Sequence, residues 1–490
     1  MAQLPDLPVE ILSCICDNTE FASLFSLART CRVFNQLAER RFLQLTKFDV
    51  QTRHLNIVSE QELQLSDSKD AFSFNSARRL CAFFGTLLNI ESLTCTFPLS
   101  SSLATIRQMA YLVQILRTIS AQQGPRDSCP FSIVLEFDGD PGPSVKAQHE
   151  SRFGQVFRSL LCEIRRLRCD SLELRDRLPA FRNAVSLELP IDDALERISI
   201  GGSWLFSWSR PWLIELLNSS SKLSSINAKC SKIWTEILPK LCLPALECIS
   251  FYWYLDDTEA SNVKVFVDFA KRHPCLGTLD CGEQFVVTWA SSRCTELLSN
   301  IVTLRGTISQ LRYFLSSPDT SLRKLEDIEI RGKSAPARYR NYHSWEPYNK
   351  KYPLWELFAL ISTRPSIVKV ILPMDLAGFQ KQLFPEFKQG RLSITTRSTL
   401  PRIRYLVFKR SLTLYVESIA DFVDWACQVF PSAERLEMLD SDRTLGRPLV
   451  QCVKGQWPSI HHLVMDDHVY AVQDQRLGIE VVHIVYDFLS

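Results

Sequence analysis

The chain has 490 residues, more than one compact hydrophobic core usually holds, so the sequence predicts several domains or an extended repeat array. Hydrophobic residues make up 46% and charged residues 22% of the chain, which are ordinary globular values and exclude a disordered or fibrous protein. The formal net charge of +2 excludes a strongly basic protein that attracts nucleic acid or anionic membranes through bulk charge.

The 16 cysteines are scattered, and no two of them form a C-x-x-C pair. Zinc sites usually need thiolates at short spacing, so we expect reduced, mostly buried thiols and neither a metal nor a cofactor. No apolar run reaches the roughly 18 residues that a membrane span needs. The start carries Asp6 and Glu10 instead of the basic residues of a signal peptide. The sequence therefore predicts a cytoplasmic or nuclear protein without a membrane partner.

The first predicted elements are three short helices within "LPDLPVEILSCICDNTEFASLFSLARTCRVFNQLAERRF". Pro8 and Glu10 suit the first turn of a helix, because the missing N–H costs nothing there and a carboxylate is favoured by the helix dipole. "DNTE" interrupts the apolar pattern with turn residues. Roughly 40 residues cannot bury so many apolar side chains by themselves. We therefore expect the rest of the chain, or another protein, to cover them.

This segment resembles the F-box motif. Leu7, Pro8 and Glu10 match its Leu-Pro-x-Glu start, and Cys31, Arg32 and Phe34 match its Cys-Lys/Arg-x-Trp/Phe ending. The sequence departs from the family at Thr30, where valine is frequent, and in "DNTEF", which lacks the usual Asp-Pro. The resemblance implies an F-box domain at residues 1–48 that docks on the Skp adaptor and, through it, on a cullin.

The resemblance also implies which side chains bind the adaptor. The expected adaptor-binding residues are Leu7, Pro8, Ile11, Leu12, Ile15, Leu24, Leu27, Cys31, Phe34 and Leu37. Of these, Cys31 and Phe34 are also expected to hold the three helices together.

A short pattern recurs in the remainder of the chain: proline, then apolar residues that end in alternation. Copies are "PALECISF" from Pro244, "PSIVKVIL" from Pro365, "PRIRYLVF" from Pro401 and "PSAERLEM" from Pro431. The alternation predicts a short strand, and segments with helical spacing, such as "ESIADFVDWACQVFP", end at several of these prolines. Each unit is therefore predicted as helix, stop and strand.

Strands that alternate with helices favour parallel pairing and right-handed crossovers. The sequence thus predicts an α/β fold in which three N-terminal helices precede a solenoid of strand–helix units at residues 49–490. This region resembles the irregular leucine-rich repeats that follow many F-boxes, including those of large fungal families. The repeats are expected to recognise a target protein.

Two other segments have side chains suited to binding. The stretch "RGKSAPARYRNYHSWEPYNKKYPLW" interleaves basic and aromatic residues, and a solvated insertion or a loop for an acidic or phosphorylated peptide both fit it. The candidate target-binding residues are Arg338, Tyr339, Arg340, Tyr342 and Trp345. His461 and His462 are neighbours on a predicted strand, where adjacent side chains lie on opposite faces, so no metal site is expected.

The sequence contains no phosphate-binding loop, dinucleotide fingerprint or nucleophile elbow. We therefore expect no catalytic residues. The sequence favours a substrate-receptor subunit of a Skp–cullin–F-box (SCF) ubiquitin ligase. The alternatives are an F-box scaffold that acts outside a ligase and an enzyme with incidental N-terminal helices.

Overall fold

The structure is a computed structural model, and it divides into two compact units, Met1–Leu246 and Glu247–Ser490. The residues that it describes are 7–46, 54–59, 71–84, 90–98, 102–123, 131–138, 147–176, 194–200, 210–229, 234–252, 265, 268–281, 299–316, 322–331, 354–373, 399–409, 419–439, 446–465, 468–472 and 481–483. Each unit contains its own run of parallel strands.

The first unit starts with three helices and continues with strands that alternate with helices. Its helices are α1 (Val9–Asp17), α2 (Phe21–Ala28), α3 (Arg32–Thr46), α4 (Phe74–Phe84), α5 (Ser102–Gln123), α6 (Ala147–Arg166), α7 (Arg210–Ser219) and α8 (Trp234–Ile237), followed by a 3-10 helix at Leu238–Lys240. Its strands are β1 (His54–Val58), β2 (Ala71–Ser73), β3 (Ser92–Pro98), β4 (Ser132–Asp138), β5 (Ser171–Asp176), β6 (Arg197–Ile200) and β7 (Ser225–Lys229). β1 pairs with β2 and β3, and from β3 to β7 each strand pairs with the next, always in parallel.

The second unit repeats the same scheme. Its helices are α9 (Ile308–Leu315), α10 (Leu354–Ser362), α11 (Ile419–Val429) and α12 (Gly446–Gln456), and residues 268–272 are also helical. Its strands are β8 (Cys248–Tyr252), β9 (Thr278–Asp280), β10 (Thr303–Gly306), β11 (Asp327–Ile330), β12 (Lys369–Pro373), β13 (Tyr405–Lys409), β14 (Arg435–Leu439), β15 (His462–Met465), β16 (His468–Ala471) and β17 (Val481–His483). Pairing is parallel from β8 to β15 and antiparallel from β15 to β17.

The recurring proline marks a turn immediately before a strand. The N–H of Ala433 donates to the carbonyl of Phe430 across Pro431, at 3.1 Å. Equivalent bonds close the turns at Pro244, Pro274, Pro365, Pro401 and Pro458. Proline suits the second position of such a turn because its ring fixes φ near the required value. The pattern found in the sequence is therefore a turn that precedes the next strand, and at Pro274, Pro365, Pro431 and Pro458 this turn follows a helical segment.

Alternation along each strand separates a buried face from a second face. In β13, Leu406 and Phe408 are buried, and the ring of Phe408 lies 5.1 Å from that of Phe422 on α11. Tyr405 lies on the opposite face and is 43% exposed. The predicted fold class is confirmed: N-terminal helices precede parallel strands that alternate with helices and add one after another, as in a solenoid.

The three N-terminal helices belong to the first compact unit, together with β1 to β7. The predicted division of the chain at residue 48 stays a prediction. The antiparallel strands β16 and β17 were not predicted, because they lack the proline turn that precedes most other strands of the second unit.

Candidate docking surface on the N-terminal helices

Helix α1 begins directly after Pro8, whose backbone is extended (φ −53°, ψ 145°). The N–H groups of Ile11 and Leu12 donate to the Pro8 carbonyl at 3.0 and 3.1 Å. Glu10 lies in the first turn, where its charge is favoured by the helix dipole. Because neighbouring residues on a helix are rotated by about 100°, Ile11 and Leu12 face different surroundings.

Three of the predicted adaptor-binding side chains form part of the core of these helices. Leu12 is 1% exposed, and Leu24 and Phe34 are fully buried. Burying a large apolar side chain contributes about 1.5–3 kcal/mol, so these residues stabilise the packing of α1 and α2 against α3. Contact between these three side chains and an adaptor would require the helices to separate.

Aromatic contacts attach α2 and α3 to the first strands and helices of the repeats. The rings of Phe25 and Phe42 lie 5.4 Å apart, edge to face, and Phe42 stacks on Phe72 of β2 at 6.2 Å. The guanidinium carbon of Arg79 on α4 lies 5.2 Å from the centre of the Phe25 ring. The protein's own later segments thus cover part of the apolar excess that the sequence predicts for this region.

Helix α1 keeps apolar side chains in solvent. Val9 is 56% and Ile11 is 49% exposed, and Pro8 is also exposed. The remaining predicted adaptor-binding residues are partly buried: Leu7, Ile15, Leu27, Cys31 and Leu37. The sequence did not single out Val9, because it occupies the variable position of the Leu-Pro-x-Glu start. Its apolar character beside Pro8 was the signal available.

Polar groups around α1 hold the helices in place. Arg41 of α3 donates to the Asp17 carbonyl at 3.1 Å and lies 3.7 Å from the Asp17 carboxylate, which ties α3 to the end of α1. Burial raises the pKa of the Cys16 thiol, and the nearby Asp17 and Cys31 raise it further. A thiol in this environment is protonated and a poor nucleophile. The arrangement suits binding by apolar contact.

A charged cluster in the second unit links several strands. Arg331 lies 2.6 Å from the carboxylate of Asp280, and Glu329 lies 3.3 Å from Arg305 and 3.1 Å from Lys409. Both carboxylates are nearly inaccessible, at 1% exposure for Asp280 and 5% for Glu329. Four of the five side chains belong to β9, β10, β11 and β13, and Arg331 directly follows β11. The cluster therefore forms an ion network that links these strands.

Neither a metal-binding cluster nor a membrane-spanning helix is present among the described residues. Among them, no group of three or more His, Cys, Asp and Glu side chains is placed to hold a metal ion. His461 and His462 are both exposed. None of the helices in the described part of the chain is long and apolar enough to cross a membrane.

The basic and aromatic segment that the sequence singles out lies outside the described residues. It contains the candidate target-binding residues Arg338, Tyr339, Arg340, Tyr342 and Trp345. The described residues that flank this segment are Arg331, directly after β11, and Leu354, where α10 begins. Their role in target binding stays a prediction.

Comparisons with known proteins locate one family signature. Residues 4–44 match the model of the F-box-like family. No curated protein matches the chain. A structural-genomics crystal structure of a protein from Bacteroides fragilis is similar over 56% of this chain and 71% of its own, at 12% identity and a TM-score of 0.27, a value too low to support any inference. The three helices α1 to α3, with their buried Leu12, Leu24 and Phe34, are therefore an F-box-like domain.

Proposed function

We propose that this protein is the non-catalytic substrate-receptor subunit of an SCF-type ubiquitin ligase of the cytoplasm or nucleus. The F-box-like match at residues 4–44 carries the proposal. In this role α1 to α3 dock on the Skp adaptor, the adaptor joins a cullin, and the leucine-rich-repeat-like strands and helices hold a target protein. The contribution to ubiquitination is proximity, because two partners held on one body meet at a high effective concentration.

The proposed adaptor surface is centred on Ile11. Pro8, Ile11 and Ile15 follow one another at the i, i+3 and i+7 spacing that places residues on one side of a helix, and Val9 adds a further exposed apolar side chain. Apolar residues along one side of a helix, here Pro8, Ile11 and Ile15, are typical of interaction sites, and a few such anchors usually supply most of the binding free energy. Val9 lies about 200° around α1 from Ile11 and extends the apolar surface at the start of the helix. The partly buried residues Leu7, Leu27, Cys31 and Leu37 are proposed to border this surface.

Target binding is proposed for the second unit, Glu247–Ser490. The segment that contains Arg338, Tyr339, Arg340, Tyr342 and Trp345 remains a candidate because arginine forks and aromatic rings bind carboxylates and phosphates well. An unknown target protein is the expected partner, and neither nucleic acid nor a membrane is part of the proposal.

Co-purification tests the proposal and separates it from a scaffold that works outside a ligase. Tagged full-length protein and its Ile11→Glu variant are isolated from cells, and the Skp adaptor and cullin are quantified in each. Leu103→Glu is the matched control, because Leu103 is also 49% exposed but lies on α5. We expect adaptor and cullin with the wild type and the control, and neither with Ile11→Glu.

The other outcomes overturn part or all of the proposal. Recovery of the adaptor without any cullin overturns the ligase role and supports the scaffold. Absence of the adaptor from the wild type, or equal recovery with Ile11→Glu, overturns docking through α1.

A further inference from the structure

A row of cationic and aromatic side chains crosses the second unit at the start of its strands. The parallel register places Lys369, Tyr405, Arg435 and His462 side by side on β12, β13, β14 and β15. Adjacent strands are about 4.8 Å apart, so the row is roughly 14 Å long. We call these four residues the strand-start row.

The strand-start row lies on the face of the strands opposite the helices and is open to solvent. Tyr405 is 43% exposed, His462 is exposed, and the side chains of Lys369 and Arg435 are 35% and 36% exposed. Farther along the same face, Ile371, Val407 and Val464 are buried. The accessible surface of this face is therefore concentrated at the strand starts.

Lys369 and Arg435 each form an ion pair with a neighbouring carboxylate. Lys369 lies 3.6 Å from Asp327, and Arg435 lies 3.4 Å from Glu437. Partly exposed pairs of this kind contribute on the order of 1 kcal/mol, so an incoming carboxylate can compete with Asp327 and Glu437 for the two cations. Two further exposed cations, Arg402 and Arg404, directly precede β13.

The equivalent row of the first unit has a different chemistry. There the same register aligns His54, Ser92, Ser132, Ser171, Arg197 and Ser225. Serine side chains supply neither charge nor an aromatic surface. A row that combines two cations with an exposed tyrosine is thus a feature of the second unit and does not follow from the repeat architecture.

We propose that the strand-start row binds an acidic peptide segment of a protein partner. Lys369 and Arg435 lie two strands apart, about 9.6 Å. In a peptide with the polyproline II conformation, which has three residues per turn, side chains three residues apart lie on the same side, separated by about 9.3 Å. Two carboxylates at that spacing reach both cations while the residues between them pack on Tyr405. The partner is a ubiquitination target only if the proposed function holds, whereas the binding itself does not depend on it.

A peptide fits this row better than a nucleic acid does. Carboxylates alternate with the cations around the row at Asp327, Glu434 and Glu437. They would repel the continuous phosphates of a nucleic acid strand, whereas a peptide with spaced acidic residues avoids them. The net charge of the whole chain, +2, provides no further attraction for a polyanion.

Fluorescence anisotropy with purified full-length protein tests the proposal. The probes are a labelled twelve-residue peptide that repeats Glu-Ser-Ser and its counterpart that repeats Gln-Ser-Ser. We expect the glutamate peptide to bind at least tenfold more tightly, and the difference to shrink as salt is raised. Equal affinity of the two peptides would overturn the proposal.

Variants locate the binding surface. Lys369→Gln combined with Arg435→Gln should weaken binding of the glutamate peptide at least tenfold, and Tyr405→Ala about threefold or more. Arg197→Gln is the matched control, since Arg197 occupies the corresponding row of the first unit, is 57% exposed and lies 2.8 Å from Asp170. The affinity of the Arg197→Gln variant for the glutamate peptide should stay within twofold of the wild-type affinity. An equal loss in the control would show that general charge, and not this row, attracts the peptide.

Two further measurements complete the test. A single-stranded oligonucleotide that binds more tightly than the glutamate peptide, and loses affinity in the double variant, would overturn the assignment of the row to a peptide. Adaptor binding is measured on the same protein samples. Peptide binding without adaptor binding refutes the proposed function and leaves this inference standing, and the reverse result refutes this inference alone.

Discussion

The two compact units share one architecture but expose different side chains. Among the described residues, the exposed large hydrophobic side chains of the first unit are Val9, Ile11 and Leu103, whereas the second unit exposes Tyr405 between two cations. Buried leucine, isoleucine and phenylalanine positions on the strands are common to both. The buried positions therefore specify the repeats, whereas the exposed positions give each unit a different surface chemistry.

The largest expected effect concerns the apolar surface of the first unit. Replacing Val9 and Ile11 together by alanine should weaken adaptor binding about 1,000-fold, because truncating each apolar anchor commonly costs about 2 kcal/mol or more. Isothermal titration with the purified adaptor measures this change. Leu103→Ala, with the same exposure as Ile11 but on α5, should change the affinity less than twofold. Equal affinities of the double variant and the wild type would remove α1 from the interface.

The core of the same helices should respond in stability. Phe34→Ala removes a fully buried aromatic ring and should lower the free energy of unfolding of α1 to α3 by about 3–5 kcal/mol. Hydrogen exchange of the backbone amides of these helices measures the loss. Gln36→Ala on the exposed side of α3 is the control and should leave exchange unchanged. Unaltered protection in Phe34→Ala would mean that the three helices do not share one core.

The ion network of the second unit should have a smaller effect. Glu329→Gln removes the charge that faces Arg305 and Lys409, and it should destabilise this unit by about 2 kcal/mol, less than a fully buried pair would, because the cations are partly exposed. Glu437→Gln removes a more exposed carboxylate, 3.4 Å from Arg435, and should cost under about 1 kcal/mol. Chemical denaturation compares the two variants. A cost for Glu437→Gln equal to that for Glu329→Gln would contradict the structural role of burial.

The smallest expected effect is a pH dependence in the second unit. Burial lowers the pKa of His273, although its hydrogen bond with the Phe269 carbonyl, at 2.6 Å, opposes this shift. The unfolded chain therefore takes up a proton first as the pH falls. The stability that His273 contributes is complete above its ordinary pKa of about 6.5 and is lost as the pH falls below that value. Denaturation midpoints at pH 7.5 and 5.5 should differ less in His273→Gln than in the wild type, and an identical difference would refute the prediction.

Local signals account for the parts of the fold that the sequence predicted. The turn at Pro431 and the alternation in β14 both depend on residues within one short segment, so the strand could be recognised from that segment alone. Helix α5 was not predicted, although it spans 22 residues. Its buried positions form a broad face, from Ile106 to Ile119, and a wide apolar face gives a weaker periodic signal than a narrow stripe.

The candidate site was predictable in position but not in detail. The Leu-Pro-x-Glu start and the Cys-Arg-x-Phe ending located the three helices. Which of their side chains stay exposed depends on Phe72 and Arg79, which pack against Phe42 and Phe25. Those contacts join segments that are far apart in sequence, and no local pattern encodes them. The covered positions of Phe25 and Phe42 could therefore not be assigned by spacing alone.

Direct titration of the purified full-length protein with a purified Skp adaptor tests the central claim most directly. An F-box-like domain that presents Val9 and Ile11 as anchors should give a saturable complex of one adaptor per chain, with a Kd at or below about 1 μM. A protein that is folded by circular dichroism but shows no binding at 100 μM adaptor would contradict the account.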